Sequence, residues 1–139
     1  MTFTLNEKIT PNFFYKEALF LFKWQIYVFP QAHILQNIKF TAEKMELIRT
    51  YCGNRRIIVR SWFRPPRYNF YIGGATKSMH LTALACDFVV DGLKAYEVRE
   101  LLKSKLEEFK IRMEQLEDLD PWVHIDLKEP GHSGRYFKP

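Results

Sequence analysis

A chain of 139 residues that is 47% hydrophobic and 16% aromatic is too apolar to stay disordered and long enough to bury one core, so it reads as a single domain over residues 1–139. A formal net charge of +5 and a pI of about 9.2 favour an anionic partner (cell wall, nucleic acid or acidic membrane) without choosing among them. There is no repeat period, the two cysteines Cys52 and Cys86 are too few for a disulfide framework, and Lys16, Glu17 and Lys23 break the apolar run at 13–29, which excludes a bilayer span of roughly 20 apolar residues.

Residues 15–29 read as a helix stopped by Pro30. Residues 31–52 read as the longest helix: Ile34, Leu35, Ile38, Met45, Ile48 and Tyr51 recur at steps of three and four, and Gly53 supplies the stop. The β-branched run Arg56-Ile57-Ile58-Val59-Arg60-Ser61-Trp62 predicts a strand, 63–77 a loop rich in Pro, Gly and Asn, and 84–90 a second strand. Residues 94–108 predict an amphipathic helix with Val98, Leu101, Leu102, Lys105 and Leu106 on one stripe, which leaves Arg99 at the surface. Short strands follow near 110–114 and 122–127, joined by the acidic loop Glu117-Asp118-Leu119-Asp120-Pro121, and the tail from Lys128 is irregular. This order predicts an α+β domain with a small antiparallel sheet packed with helices.

The chemistry-bearing residues cluster. Ser78-Met79-His80-Leu81-Thr82-Ala83-Leu84-Ala85-Cys86-Asp87 sets an imidazole seven residues before a carboxylate, and Trp122-Val123-His124-Ile125-Asp126 adds a second imidazole in an alternating run. Two neutral imidazoles and one carboxylate suit a catalytic zinc with a position left for water. The spacing is not that of a helical pair, so the three must come from separate strands or loops. Strand alternation puts His124 and Asp126 on one face with Val123 and Ile125 on the other, and sets Asp87 opposite Cys86 and Phe88. Cys86 is read as a small buried thiol, Asp126 as an exposed strand residue rather than an orienter of a His, Trp62 and Trp122 as core or cleft wall, and His33 and His132 as without a role.

The pattern Ser78-x-His80-x-x-Ala83-x-Ala85-x-Asp87, with Trp122-Val123-His124-Ile125 downstream, resembles the M15-like zinc peptidoglycan peptidases of the D-Ala-D-Ala carboxypeptidase and L-Ala-D-Glu endopeptidase group. Ile58-Val59-Arg60-Ser61-Trp62-Phe63-Arg64, then Asn69 and Gly73-Gly74-Ala75, extends the resemblance over a motif core of about 40–127; Ala83 stands where the usual pattern has glycine. The resemblance implies a hedgehog-type fold, Zn²⁺ held by His80, Asp87 and His124, and Arg64 binding a substrate carboxylate or polarising the scissile carbonyl. It implies a substrate-side or loop-orienting role for Ser78. Some relatives carry the catalytic base three residues before the last His, where this chain has Pro121. Others carry it at the end of the preceding strand, which points to Glu114, with Glu117 next and Asp118 third.

The function this implies is hydrolysis of a peptide bond in peptidoglycan stem peptides, as carboxypeptidase or endopeptidase, of the kind a phage-type endolysin performs. The expected partner is the stem peptide; nucleic acid and a membrane span are not expected, and the chain is expected to be a monomer. Met1–Leu5 lacks a basic n-region and no cleavage site follows, so synthesis in the cytoplasm, free thiols and action at the wall after release are expected. Two other classes stand beside this one: a wall-binding or structural module that kept the fold without turnover, and a metal-dependent nuclease, for which no nuclease metal motif is present.

Overall fold

The computed structural model describes residues 3–139, so the reading of the N-terminus that starts at Met1 lies partly outside the described residues. Lys8–Thr10 (β1) and Phe13–Phe14 (β2) pair antiparallel and lead into the short helix Tyr15–Leu19 (α1), where Glu17 accepts the Phe14 N–H at 2.8 Å. The expected helix over 15–29 then ends: Phe20–Leu21 (β3) and Ile26–Tyr27 (β4) form an antiparallel hairpin. Gln25 takes a left-handed φ of 55° and donates its N–H to the Leu21 carbonyl at 2.8 Å, closing the turn. The hairpin buries Leu21 and leaves Phe22 exposed in its turn, and the aromatic Phe20 and Tyr27, paired across it, favour strand over helix.

The helix Ala32–Tyr51 (α2) matches its expected span and buries Ile34, Leu35, Ile38, Thr41, Ala42, Met45 and Ile48; Tyr51, expected on that stripe, lies at its exposed edge. The loop expected at 63–77 contains a helix, Pro66–Tyr71 (α3): Pro66 opens it, because a proline without an N–H is pre-organised for the first helical position. The helix expected over 94–108 is three pieces, Ala95–Leu102 (α4), a 3₁₀ turn at Lys103–Lys105, and Leu106–Phe109 (α5), closed by Lys110 at φ 57°. Arg99, read as a surface residue, is 3% exposed.

The main sheet contains Ile57–Ser61 (β5), Ala85–Val90 (β6), Arg112–Glu114 (β7), Val123–Asp126 (β8) and Tyr136–Phe137 (β9), in the order β5-β6-β8-β7-β9. Its neighbours are antiparallel except for β9, which runs parallel to β7. The tail, expected to be irregular, is therefore partly sheet: Met113 N–H donates to the Arg135 carbonyl and Gln115 N–H to the Phe137 carbonyl, both at 2.7 Å. Two residues are too few to carry a strand pattern in sequence. The architecture is α+β. Cys86, Phe88, Met113, Val123 and Ile125 form the inner face of the sheet and join α2 and α4 in one hydrophobic cluster. Both cysteines are free and buried. Among the described residues no helix is long and apolar enough to cross a membrane.

Candidate metal centre

The outer face of the sheet is set by register. Asp87 on β6 lies directly opposite His124 on β8, and directly opposed residues point to the same side. Asp126 faces Arg112 on β7, and Glu114, two residues further along β7, faces Phe137 on β9. Ser61, Asp87, His124, Asp126, Arg112, Glu114 and Phe137 thus share the face away from the core. All of these except Ser61 line, with Arg64 and most of the 72–80 segment, a cleft of about 600 Å³.

His80 reaches this face from a 3₁₀ turn, Met79–Thr82. The Ser78 Oγ accepts the His80 N–H at 3.1 Å and caps that turn, so Ser78 orients the loop while also lining the cleft. The turn ends at Ala83 with φ 63°, the left-handed conformation that glycine adopts most easily. Its carbonyl is held by Thr41 Oγ1 at 2.8 Å and Trp62 Nε1 at 3.2 Å, contacts that fix the backbone where the turn leaves for β6.

His80, Asp87 and His124 converge: one ligand atom from each lies within 4.8 Å of the others, and the group can hold a metal ion. His80 Nδ1 is 2.7 Å from the Trp62 carbonyl, an acceptor only, so Nδ1 carries a proton and, in the neutral ring, Nε2 carries the lone pair. That Nε2 is buried without a hydrogen-bond partner, yet it lies 3.2 Å from Asp87 Oδ1. A neutral His80 would set a lone pair against a carboxylate oxygen, two acceptors with nothing between them, so the pair calls for a cation. His124 Nδ1 lies 2.7 Å from the same Oδ1, so a single oxygen and two imidazole nitrogens look at one point. The donor set, two imidazoles and one carboxylate, suits zinc and leaves room for water.

The surrounding charges respond to this geometry. Burial alone would raise the Asp87 carboxyl, but His80 and His124 hold it well below the usual carboxylate range. Burial alone would lower His124, but hydrogen bonds to Asp126 and Asp87 push it up to about 9. In the absence of metal a proton on His124 therefore does part of the work of the cation.

Arg64 is committed to this centre. Its Nη2 donates to Asp87 Oδ2 at 3.2 Å, Nε to Ser61 Oγ at 2.9 Å and Nη1 to Asn69 Oδ1 at 3.3 Å. One N–H on each terminal nitrogen is left for the cleft. A Cβ on Gly74 would meet Asn69 Oδ1 at 2.0 Å, so the Gly-rich segment is glycine there to let the Asn69–Arg64 pair form. Glu114 Oε2 sits 4.0 Å from His124 Nδ1, and burial raises its carboxyl above the usual value. Glu117 and Asp118 are exposed and do not line the cleft. Trp62 is core and Trp122 is cleft wall, as read.

The sequence reading gave no part in the centre to Arg112 or Phe137, named Asn69 only within the resemblance, and took Asp126 as exposed. Asp126, expected to be exposed, is 1% exposed and lies 3.0 Å from His124 Nε2. Arg112 clamps it through Nε at 2.7 Å and Nη2 at 2.8 Å. Alternation puts Asp126 on this face with His124, and with Glu114 it could have placed Arg112 there as well. Phe137 carried no such signal.

No curated protein and no solved structure matches this chain. A family model described as Peptidase M15 matches residues 18–126, from α1 to the end of β8, and that stretch holds His80, Asp87 and His124. The chain belongs to the peptidase M15 family of metallopeptidases.

Proposed function

We propose that this protein is a zinc-dependent peptidase that hydrolyses a peptide bond in peptidoglycan stem peptides, with His80, Asp87 and His124 as the zinc ligands. The observation that carries the reading is the buried, unpartnered Nε2 of His80, turned by the Trp62 carbonyl towards the oxygen of Asp87 that His124 also faces. Zinc, when bound, supplies a Lewis acid that polarises the scissile carbonyl and lowers the pKa of water from about 15.7 toward about 7. Glu114 is the base: its carboxylate, half-buried at the edge of the centre, takes the proton of the attacking water and hands it to the leaving amine as the C–N bond breaks. Arg64 keeps Asp87 in place with one edge of its fork and offers the remaining N–H groups to a substrate carboxylate or to the carbonyl oxygen. Lys77, Lys128 and Lys138 also line the cleft, so its rim is cationic and favours the carboxylate-bearing stem peptide.

With this substrate, the proposed place of action is the cell wall. The test is digestion of purified peptidoglycan by zinc-loaded protein, with mass spectrometry of the new termini. New amino and carboxyl ends in the stem peptide are expected, and they identify the bond as carboxypeptidase or endopeptidase cleavage. Intact stem peptides after digestion with zinc-replete protein would remove the reading.

A further inference from the structure

Asp126 has every acceptor site on its carboxylate in use. Oδ1 takes Arg112 Nε at 2.7 Å and the Lys128 N–H at 3.2 Å, while Oδ2 takes Arg112 Nη2 at 2.8 Å and faces His124 Nε2 at 3.0 Å. The pair is enclosed: the side chains of Arg112 and Asp126 are 13% and 2% exposed. The roof is Phe137, whose ring centroid lies 3.8 Å from the Arg112 guanidinium carbon and 6.0 Å from the His124 ring. Phe137 belongs to β9, beyond the stretch that the family model matches.

A buried ion pair contributes little to stability over a well-packed apolar pair, so its retention needs another reason. The third partner gives one. An imidazole has two nitrogens, and a carboxylate fixed against Nε2 makes that nitrogen the N–H and leaves the lone pair on Nδ1, the atom aimed at Asp87. Arg112 is needed because an unclamped aspartate at the end of β8 could rotate away from the ring. Phe137 is needed because an open clamp would be hydrated and weakened.

We propose that Asp126, clamped by Arg112 beneath Phe137, is a positioning residue that fixes His124 as an Nδ1 donor and tightens zinc binding. This rests on the zinc-ligand reading above. The test is the zinc dissociation constant of the full chain, by chelator competition, for wild type, His124→Ala, Asp126→Asn and Arg112→Gln. It is joined to ¹⁵N NMR of the histidine rings in the zinc-loaded protein. Asp126→Asn is expected to bind zinc roughly 10- to 100-fold more weakly and to lose the single Nε2–H signature of His124. Arg112→Gln, with the carboxylate in place, is expected to weaken binding by about 3- to 10-fold, and it carries the test if Asp126→Asn does not fold. A folded Asp126→Asn or Arg112→Gln protein with wild-type affinity and an unchanged tautomer, whatever its melting temperature, overturns the proposal. Wild-type affinity in His124→Ala instead overturns the ligand reading on which it stands.

Discussion

Arg64 and the two imidazoles divide the carboxylate of Asp87 between them: Nη2 of Arg64 holds Oδ2 at 3.2 Å, while Oδ1 faces His80 Nε2 at 3.2 Å and His124 Nδ1 at 2.7 Å. The arginine therefore leaves free the oxygen a metal needs and stops the carboxylate from rotating. Ser61 and Asn69 lock the guanidinium in turn, so the Asp87 carboxylate is anchored through a chain of contacts back to β5 and α3.

Arg64→Lys is expected to lower kcat/KM on a defined stem peptide by at least about tenfold, because lysine keeps the charge and loses the planar fork. The loss should persist at high salt, since a part-buried pair is screened little. Arg67→Lys, on the exposed side of α3, is the matched control and should behave as wild type. Equal rates for Arg64→Lys and wild type at low and high salt would take Arg64 out of the site.

Glu114→Gln is expected to keep zinc stoichiometry and melting temperature while lowering kcat by on the order of 100-fold or more. Glu117→Gln should be silent, because Glu117 lies outside the cleft. Steady-state rates paired with elemental analysis decide: full activity in Glu114→Gln moves the base elsewhere.

The metal-free protein should lose stability as pH rises through the alkaline range. The folded-state pKa of His124 is raised to about 9 by Asp126 and Asp87, against the opposing effect of burial. A raised pKa stabilises the fold fully below the unfolded value of about 6.5, and that contribution disappears as pH climbs through about 9. Chelated protein should therefore melt at a lower temperature at pH 9 than at pH 6. Zinc-loaded protein should show a smaller decline or none, since the metal takes the place of the proton. A chelated protein whose melting temperature is flat from pH 6 to 9 would show that His124 is not held as an imidazolium.

The grouping of His80, Asp87 and His124 was legible because their residue types and the flanking motif mark them, and strand alternation turns Asp87 and His124 away from the face of Cys86 and Val123. Alternation says which face a residue takes and not what covers that face. Asp126 was placed on the correct face and still read as exposed, because the covering strand β9 has two residues and no pattern. The hairpin at 20–27 was hidden for a related reason: its turn, Phe22 to Gln25, has no glycine or proline to mark it, and the left-handed residue is a glutamine. The helix α3 was hidden by its two prolines, which read as loop although one of them starts the helix. Long-range contacts, such as Tyr68 Oη accepting the Lys23 N–H at 3.0 Å, tie these two misread segments together and have no local signature.

Arg99 shows the same limit in a residue that the stripe on α4 assigns to the surface. It is buried, and its guanidinium donates to three backbone carbonyls in the segment that feeds β8: Glu117 at 2.8 Å, Trp122 at 2.7 Å and Asp120 at 3.4 Å. Two guanidinium nitrogens bridge carbonyls five residues apart in sequence, a span that a single ammonium cannot cover. Arg99→Lys should therefore destabilise the fold by about 2 kcal/mol, the scale of losing charge-assisted hydrogen bonds and leaving carbonyls unpaired. For a domain of this size that corresponds to roughly 5–10 °C in melting temperature. The lever arm matters as well. Trp122 is adjacent to β8 and two residues before His124, so a loosened 117–122 segment frees the strand that carries a ligand. Folded Arg99→Lys protein should bind zinc somewhat more weakly while kcat at saturating zinc stays near wild type, because Arg99 itself does not line the cleft and reaches it only through the Trp122 backbone carbonyl. Thermal melts and zinc titrations on the same preparation check both halves. An unchanged melting temperature would mean that the three carbonyls are satisfied without the arginine, and a lost kcat at saturating zinc would mean that the 117–122 segment acts on the reaction itself.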